Sequence, residues 1–413
     1  MRIAWKIVLL VCLSAANAAA YSVLTHEELI DLAWNGSIRP LLLAKFPGAS
    51  EKQLLEAHAY AYGGSAIQDM GYYPFGKRFF SNLTHYVRTG DFIANLFRDA
   101  RTMDEYAFAI GALSHYLGDS IGHSQAINPA TALAFPKLER KYGPIVTYGE
   151  SPHGHIRTEF AFDIAELSDR NLAPRSYQEF IGFKVPRKFL EKAFAETYGF
   201  DIHEILGRAH PALRSYRVSV RRFIPAFAGA EVVLHRHQFP APPEDEAYRR
   251  FAARVAQTNY ERKWKRTKRG PGVKAHLLAV LVWIVPKVGP VSDLAIKIPT
   301  IQTEEDYFRS VDHTADHFAE TLHRLQSEMD DPLVFANLNL DTGNAIEYKK
   351  YPLADQTHEE LLARLTARPG RIIPPGLKRQ LLAYFNSGSA DDLPKLLSEQ
   401  LAVLQGMKTM ASE

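Results

Sequence analysis

Three ionisable side chains recur at intervals of four residues in an otherwise apolar segment. His115, Asp119 and His123 occupy positions i, i+4 and i+8, which an α-helix places on one face over successive turns. The neighbouring residues 106–121 are mostly apolar, so this face should point into the protein. Burying three such groups is costly unless they are paired or bind a metal ion. The spacing therefore predicts either a paired polar network or a metal site.

A second set of the same kind follows in the chain. His155 and Glu159 also lie at i and i+4, and an imidazole and a carboxylate one turn apart are a recurring metal-ligand pair in helical bundles. Both are suitable zinc ligands, and a zinc ion with an open position lowers the pKa of bound water to about 7. Two such sets in one chain favour the metal site over the polar network.

The elements that must position these residues are predicted to be helices. Helical periodicity is frequent and no segment shows sustained alternation of apolar and polar residues, so we expect an all-α protein. Thr25 and Glu28 have the spacing of a capping box, and the same pattern at 357–360 is explained by helix capping rather than by an internal repeat. Further helices are predicted near 106–121, 155–167, 189–197, 213–223, 245–258, 304–328 and 358–366. Proline-rich breaks occur at 239–243 and 374–375, and a domain boundary is placed near 240.

Composition narrows the class of protein. Of 413 residues, 46% are hydrophobic and 23% charged, which excludes a wholly disordered or fibrous chain. The single cysteine, Cys12, excludes an internal disulfide and a thiolate zinc site. The net charge of +3 is too small to indicate nucleic-acid or membrane binding by itself. A metal would therefore be held by imidazole, carboxylate or backbone groups.

The first twenty residues have the pattern of a secretory signal peptide. Arg2 and Lys6 precede an apolar stretch at 7–15, and small residues follow up to Ala20. A run of small residues after an apolar stretch is typical of a signal-peptide cleavage site. The apolar stretch is too short to span a bilayer. We therefore expect a secreted or periplasmic protein whose mature chain begins at Tyr21 and contains no thiol.

The order of the candidate ligands resembles that of the zinc-dependent phospholipase C family. The residues that carry this resemblance are His26, Asp69, His85, His115, Asp119, His123, His155 and Glu159. The resemblance implies an all-α, multi-helix fold like that of zinc phospholipases C and single-strand nucleases, here with a helical C-terminal extension. It implies a catalytic domain at 21–239 and leaves the role of 240–413 open. The short spacing around Asp119 is similar to that of the glycosylphosphatidylinositol phospholipase branch.

The resemblance also implies three zinc ions and a ligand set for each. One ion would lie among Asp69, His85, His115 and Asp119. A second would be bound by His123, His155 and Glu159. The third would be bound by the amine and carbonyl of Tyr21 together with His26 and Asp119. In this family the residue equivalent to Asp69 is also the proposed general base for the attacking water.

Three functions are consistent with these patterns. The first is an exported zinc-dependent phosphodiesterase that hydrolyses phospholipid or another phosphodiester; the others are a single-strand nuclease on the same site and a non-catalytic, metal-stabilised surface-binding protein. A basic segment followed by a short apolar run at 261–290 predicts peripheral membrane contact, with a solvated loop before a buried helix as the alternative. The aromatic residues after Asp69 could line a cleft or belong to the core. No protein partner is evident from the sequence.

Overall fold

The computed structural model describes residues 23–169, 183–207, 209–219, 224–235, 237–258, 296–327, 333–387 and 393–410. The predicted signal peptide at 1–20, Tyr21 and the whole basic and apolar segment at 261–290 lie outside these ranges. Within them, no helix is both long enough and apolar enough to cross a membrane.

The described chain is all-α, as the sequence predicts. The helices of the first half are α1 (Val23–Ala33), α2 (Arg39–Lys45), α3 (Glu51–Ser65), α4 (Arg78–Tyr86), α5 (Thr89–Asp99), α6 (Met103–Gly122), α7 (Asn128–Ala134), α8 (Pro136–Tyr142) and α9 (Pro152–Asp169). The later helices are α10 (Arg187–Tyr198), α11 (Ile202–Leu206), α12 (Ala209–Val218), α13 (Ile224–His235), α14 (Glu246–Gln257), α15 (Ile301–Ser327), α16 (Pro352–Thr366), α17 (Pro375–Asn386) and α18 (Lys395–Gly406). Within the described ranges, β-structure is limited to two isolated bridges.

Both predicted capping boxes are wrong. Thr25 lies inside α1, where its hydroxyl donates to Asp163 at 3.0 Å instead of capping the helix. Thr357 lies inside α16 and donates to the backbone oxygen of Leu353 at 2.6 Å. In α1 the two described residues before Thr25 are already helical, and in α16 residues 352–356 are. The threonine–glutamate spacing therefore lies inside each helix and does not mark its start.

Helices α3 and α6 cross at very short distance, and two glycines make this possible. A Cβ atom at Gly111 would lie 2.0 Å from the backbone oxygen of Ala61, and one at Gly64 would lie 2.0 Å from that of Phe108. No larger residue fits at either position without moving the backbone. Because Asp69 follows α3 and His115 lies on α6, this crossing brings two distant parts of the sequence to the same site.

The C-terminal helices pack onto the helices of the first half. Helix α15 contacts α1, α2 and α6, and α16 contacts α4. One hydrophobic core includes both Phe108 of α6 and Leu361 of α16, each fully buried. The boundary near residue 240 stays a prediction, and the described residues on its two sides share this core.

A neutral buried histidine in α16 should make stability depend on pH. His358 donates from Nδ1 to the oxygen of Ala354 at 2.8 Å, accepts at Nε2 from Gln380 at 3.0 Å and stacks on Tyr384 at 3.6 Å. Burial lowers the pKa of His358 to about 4. Since the unfolded chain binds this proton near pH 6.5, stability is complete above that pH and is lost as pH falls toward 4. The loss should approach ~3 kcal/mol at about 1.4 kcal/mol per pH unit.

Urea unfolding of the zinc-free protein between pH 7.5 and 4 measures this contribution. His358→Gln should flatten the decline in unfolding free energy by most of that amount. His313→Gln, on the exposed surface of α15, is the matched control and should follow the parent curve. Parallel curves for the parent and His358→Gln would refute the assignment.

Candidate metal centre

Six helical elements supply the eight predicted ligands that the structure describes. His26 comes from α1, Asp69 from a 3₁₀ turn at 68–72, and His85 from the end of α4. Helix α6 supplies His115 and Asp119, a π-helical turn at 123–127 begins with His123, and α9 supplies His155 and Glu159. All eight side chains are buried. Helix α6 continues directly into the π turn, and such turns are frequent at functional sites.

Asp119 lies at the centre of the group. Its Oδ2 atom is 3.0 Å from Nε2 of His115 and 3.2 Å from Nε2 of His85, while its Oδ1 atom is 3.2 Å from Nε2 of His26. Oδ1 is also 3.8 Å from Nε2 of His123. One carboxylate thus faces four imidazoles, with its two oxygens directed to different pairs. This arrangement is suited to a carboxylate that bridges neighbouring ions.

The four residues predicted around the first ion are brought together. Asp69 Oδ1 is 3.3 Å from Nε2 of His85 and 3.9 Å from Nε2 of His115. The ligand atoms of His85, His115 and Asp119 lie within 4.8 Å of one another. The ligand atoms of His26, Asp69 and His115 form a second set within the same limit. His26, which was predicted to bind a different ion, therefore lies close to the ligands predicted for the first ion.

The residues predicted around the second ion also form a compact group. Nε2 of His155 is 2.8 Å from Oε1 of Glu159, and Nε2 of His123 is 3.4 Å from the same oxygen. The i and i+4 spacing on α9 produces the first contact, whereas the second depends on packing of the π turn against α9.

For the predicted third ion, the structure places His26 beside Asp119, and Tyr21 is outside the described residues.

Backbone carbonyls orient two of the imidazoles. Nδ1 of His85 donates to the oxygen of Ser81 at 2.7 Å, and Nδ1 of His115 donates to the oxygen of Ser65 at 3.0 Å. Because a carbonyl oxygen can only accept, each ring carries its proton on Nδ1 when neutral and directs the lone pair of Nε2 toward the centre. Metal-bound histidines are typically held in this manner.

Burial opposes the charged forms of Asp69, Asp119 and His85, and neighbouring charges decide in which direction the pKa of each residue shifts. Burial raises the pKa of Asp69. Burial also acts to raise the pKa of Asp119, but the imidazoles of His115 and His123 outweigh it and hold that pKa well below the usual range. Burial acts to lower the pKa of His85, yet Asp119 and Asp69 raise it to about 9. Of the two aspartates, Asp119 is therefore the one that stays ionised to lower pH.

The donor set fits zinc. Two ligands at 2.0–2.2 Å from a tetrahedral zinc ion lie about 3.4 Å apart, and the imidazole-to-carboxylate distances around Asp69 and Asp119 range from 3.0 to 3.9 Å. Among the residues that the structure describes, the oxygens of both carboxylates and Oε1 of Glu159 accept no hydrogen bond of normal geometry. Buried carboxylates without such partners are costly, and a cation bound between them would remove that cost.

Aromatic side chains surround the centre, and most of those after Asp69 belong to the core. Tyr72 lies 5.9 Å from the ring of His85 and 5.6 Å from that of Tyr148. The other buried aromatic residues of this stretch are Tyr73, Phe79 and Phe80, whereas Phe75 is 73% exposed. The core interpretation therefore holds for the four buried residues, and Phe75 is the exposed member of this short segment.

Sequence reasoning missed one carboxylate of the centre. Asp341, in the segment between α15 and α16, is buried and places Oδ1 3.3 Å from Nδ1 of His123. In the sequence it sits in Asp341-Thr342-Gly343, which reads as an ordinary turn. No periodic spacing connects it to the other ligands, so only tertiary packing could reveal it.

Comparison with known proteins agrees with this geometry. Residues 25–203 match the family model described as zinc dependent phospholipase C. No curated protein and no solved structure matches the chain. The matched segment contains all eight of the predicted ligands that the structure describes. Residues 25–203, less than half of the chain, are therefore similar to the zinc-dependent phospholipase C family.

Proposed function

We propose that this protein is an exported, zinc-dependent phosphodiesterase that hydrolyses phospholipid in the manner of a phospholipase C. The observation that carries the proposal is the convergence of buried imidazoles and carboxylates on Asp119, within the segment that matches the family. The signal-peptide pattern at 1–20 supports export.

The contacts of the described residues support a ligand role for each of them, and the role of Tyr21 rests on the family resemblance. Two ions would share Asp119 as a bridge, one held with Asp69, His85 and His115 and the other with His26 and the amine of Tyr21. A third would be held by His123, His155 and Glu159. Signal-peptide removal would create the free amine, because an α-amine can give up its proton to a metal and an amide nitrogen cannot do so cheaply.

The chain contributes positioning and proton transfer to the proposed reaction. Bound zinc would supply charge stabilisation for the phosphodiester oxygens and activation of water. Asp69 would accept the proton of the attacking water, the role proposed for its equivalent in the zinc-dependent phospholipase C family, and the 3₁₀ turn at 68–72 places it beside His85 and His115. The backbone bonds to Nδ1 of His85 and His115 would keep both rings fixed while the substrate enters and leaves.

Hydrolysis assays on three substrates test this function. The mature protein, beginning at Tyr21, should release a soluble product from phosphatidylcholine or phosphatidylinositol, and a zinc chelator should stop the reaction. Chelator-sensitive cleavage of single-stranded DNA alone would identify a nuclease instead. Absence of chelator-sensitive cleavage of any of the three would leave the non-catalytic binding protein as the remaining interpretation.

An exposed aromatic loop beside the centre supports a lipid substrate. Phe75 lies in the loop between the 3₁₀ turn of Asp69 and α4, and its φ of 66° is unusual for a residue with a side chain. A hydrogen bond of 2.8 Å from the Gly76 amide to the oxygen of Tyr73 closes the turn. Lys77, which follows, is exposed. An apolar side chain next to a cation is suited to the surface of an anionic membrane.

Phe75→Ser should lower kcat/KM on anionic phospholipid vesicles about tenfold. Transfer of a phenylalanine side chain out of water contributes roughly 1.5–3 kcal/mol, and 1.4 kcal/mol corresponds to a factor of ten. Hydrolysis of a short-chain, monomeric phospholipid should be unchanged, since no vesicle surface is involved. Leu396→Ser, at a 66% exposed position of α18, is the matched control. Equal losses on vesicles and on monomers would contradict the membrane role.

A further inference from the structure

We infer that Asp341, a residue of the C-terminal region, is a positioning residue that holds His123 in the orientation needed for metal binding. The inference rests on the proposed zinc centre, and it gives a role to a part of the chain that lies beyond the matched segment at 25–203.

The two nitrogens of His123 face two different carboxylates. Nε2 is 3.4 Å from Oε1 of Glu159, within the group of potential ligands, while Nδ1 is 3.3 Å from Oδ1 of Asp341 on the other side of the ring. A carboxylate at Nδ1 selects the tautomer that carries its proton there. The lone pair of Nε2 is then directed toward His155 and Glu159, where the ion would bind.

The group that faces Nδ1 of His123 differs from the groups that face Nδ1 of His85 and His115. Nδ1 of His85 and of His115 face neutral backbone carbonyls, whereas Nδ1 of His123 faces an ionisable carboxyl group. A carboxylate that faces the far nitrogen of a metal-binding imidazole makes the imidazole a stronger ligand and fixes its ring orientation. The second metal group has only three predicted protein ligands, so the orientation and basicity of each one should strongly affect its affinity for zinc.

Asp341 is itself held rigidly by groups from both halves of the chain. Its Oδ2 atom accepts a hydrogen bond from the amide of Tyr148 at 2.9 Å and another from the hydroxyl of Tyr351. Its backbone oxygen accepts from Nδ2 of Asn128 at 2.7 Å, and its amide donates to Oδ1 of Asn339 at 3.0 Å. These bonds engage Oδ2 and the backbone, and they leave Oδ1 directed at the histidines.

The loop that carries Asp341 can approach α6 only because of a glycine. Gly343 has a φ of 70°, and a Cβ atom there would lie 2.4 Å from the backbone oxygen of Ser120. The amide of Leu340 donates to the backbone oxygen of His85 at 3.1 Å, which attaches the same loop to the first metal group. The loop therefore contacts elements of both groups.

The geometry favours a positioning role over direct ligation. Oδ1 of Asp341 is 3.3 Å from Nδ1 of His123 but 3.9 Å from Nε2 of His155. The compact set of potential ligand atoms contains His123, His155 and Glu159 without Asp341. Removal of Asp341 should therefore weaken one zinc site without eliminating it.

Zinc retention by the full mature chain, measured against buffers of defined free zinc, tests this role. Asp341→Ala should shift one step of the zinc-binding curve to 10–100-fold higher free zinc and leave the other steps in place. Asp341→Asn keeps a neutral acceptor and should shift the same step less. Tyr351→Phe removes the hydroxyl that donates to Asp341 and accepts from the amide of Gly149. It should shift the same step in the same direction, and it provides a milder variant if the alanine protein does not fold.

Asp355 provides the matched control. Its Oδ1 atom accepts from the hydroxyl of Tyr384 at 2.5 Å and from the amide of Lys349 at 2.9 Å, so Asp355→Ala loses the same kinds of bond at a site without a metal group. If Asp341 had only a structural role, both alanine variants would lose stability and retain the parent zinc curve.

Two results would overturn the inference. One is a zinc curve for the Asp341 variants that matches that of Asp355→Ala. The other is complete loss of one zinc ion in Asp341→Ala, equal to that in His155→Ala, which would make Asp341 a ligand. Because the readout is zinc affinity, a parent protein that binds zinc but hydrolyses no phospholipid would refute the proposed function and leave this inference standing.

Discussion

Replacing Asp119 by asparagine is expected to lower kcat/KM for phospholipid by about 10³-fold or more and to reduce zinc content. The two oxygens of Asp119 face the Nε2 atoms of His26, His85 and His115 at 3.0–3.2 Å. Asparagine has one oxygen, and its amide group would direct N–H donors at imidazole nitrogens that should bind metal. Charge stabilisation by a bound ion contributes several kcal/mol, and about 4 kcal/mol corresponds to 10³ in rate.

A second buried aspartate separates loss of metal from loss of stability. Asp31 accepts from Tyr62 at 2.5 Å and lies 2.9 Å from Nε2 of His58, outside the metal groups. Asp31→Asn should lower the free energy of unfolding while zinc content and turnover per folded molecule stay at the parent level. Zinc analysis and vesicle hydrolysis on the two variants give the comparison. Parent zinc content and more than a tenth of parent activity in Asp119→Asn would show that this carboxylate does not bridge the ions.

Removal of zinc should lower the free energy of unfolding by about 4 kcal/mol or more as well as abolish turnover. A ligand at a thousand times its dissociation constant stabilises the folded state by about 4 kcal/mol for each site. The physical reason lies in the burial of Asp69, Asp119 and Glu159, whose carboxylates are placed close together away from water. Without a cation, their desolvation is compensated only by imidazoles.

Denaturant titration with and without a zinc chelator measures this effect, and addition of zinc should restore both stability and activity. Magnesium should not restore them, because a site rich in imidazole favours zinc over a hard cation that prefers oxygen ligands. Asp119→Asn should respond less to the chelator than the parent does, whereas Asp31→Asn should respond fully. An unfolding free energy that is the same in chelator and in zinc would contradict a buried metal centre.

The C-terminal region is part of the centre's surroundings and not a detached appendage. Helix α15 packs on α1 and α6, which carry three of the predicted ligands. The segment before α16 places Asp341 at His123 and Leu340 at the backbone of His85. The match to the family model covers residues 25–203, yet the metal groups contact residues far beyond that limit.

The sequence by itself determined the parts of the centre that depend on helix geometry. His115 and Asp119 had to share a face, as did His155 and Glu159, because the period of an α-helix places residues four apart on adjacent turns. The all-α class followed for the same reason, since it rests on local periodicity. Thr25 shows the limit of such local patterns: a capping motif identifies a helix end only if the preceding residues are not helical, and in α1 they are.

Tertiary structure alone decided which of these faces meet. The contact of Asp69 with His115 depends on the close crossing of α3 and α6 at glycine, and the place of Asp341 depends on a loop more than 180 residues further along the chain than Glu159. It also decided that Phe75 is exposed while the aromatic residues around it are buried. Residue spacing records geometry within one element, whereas contacts between elements arise from packing that leaves no regular interval in the sequence.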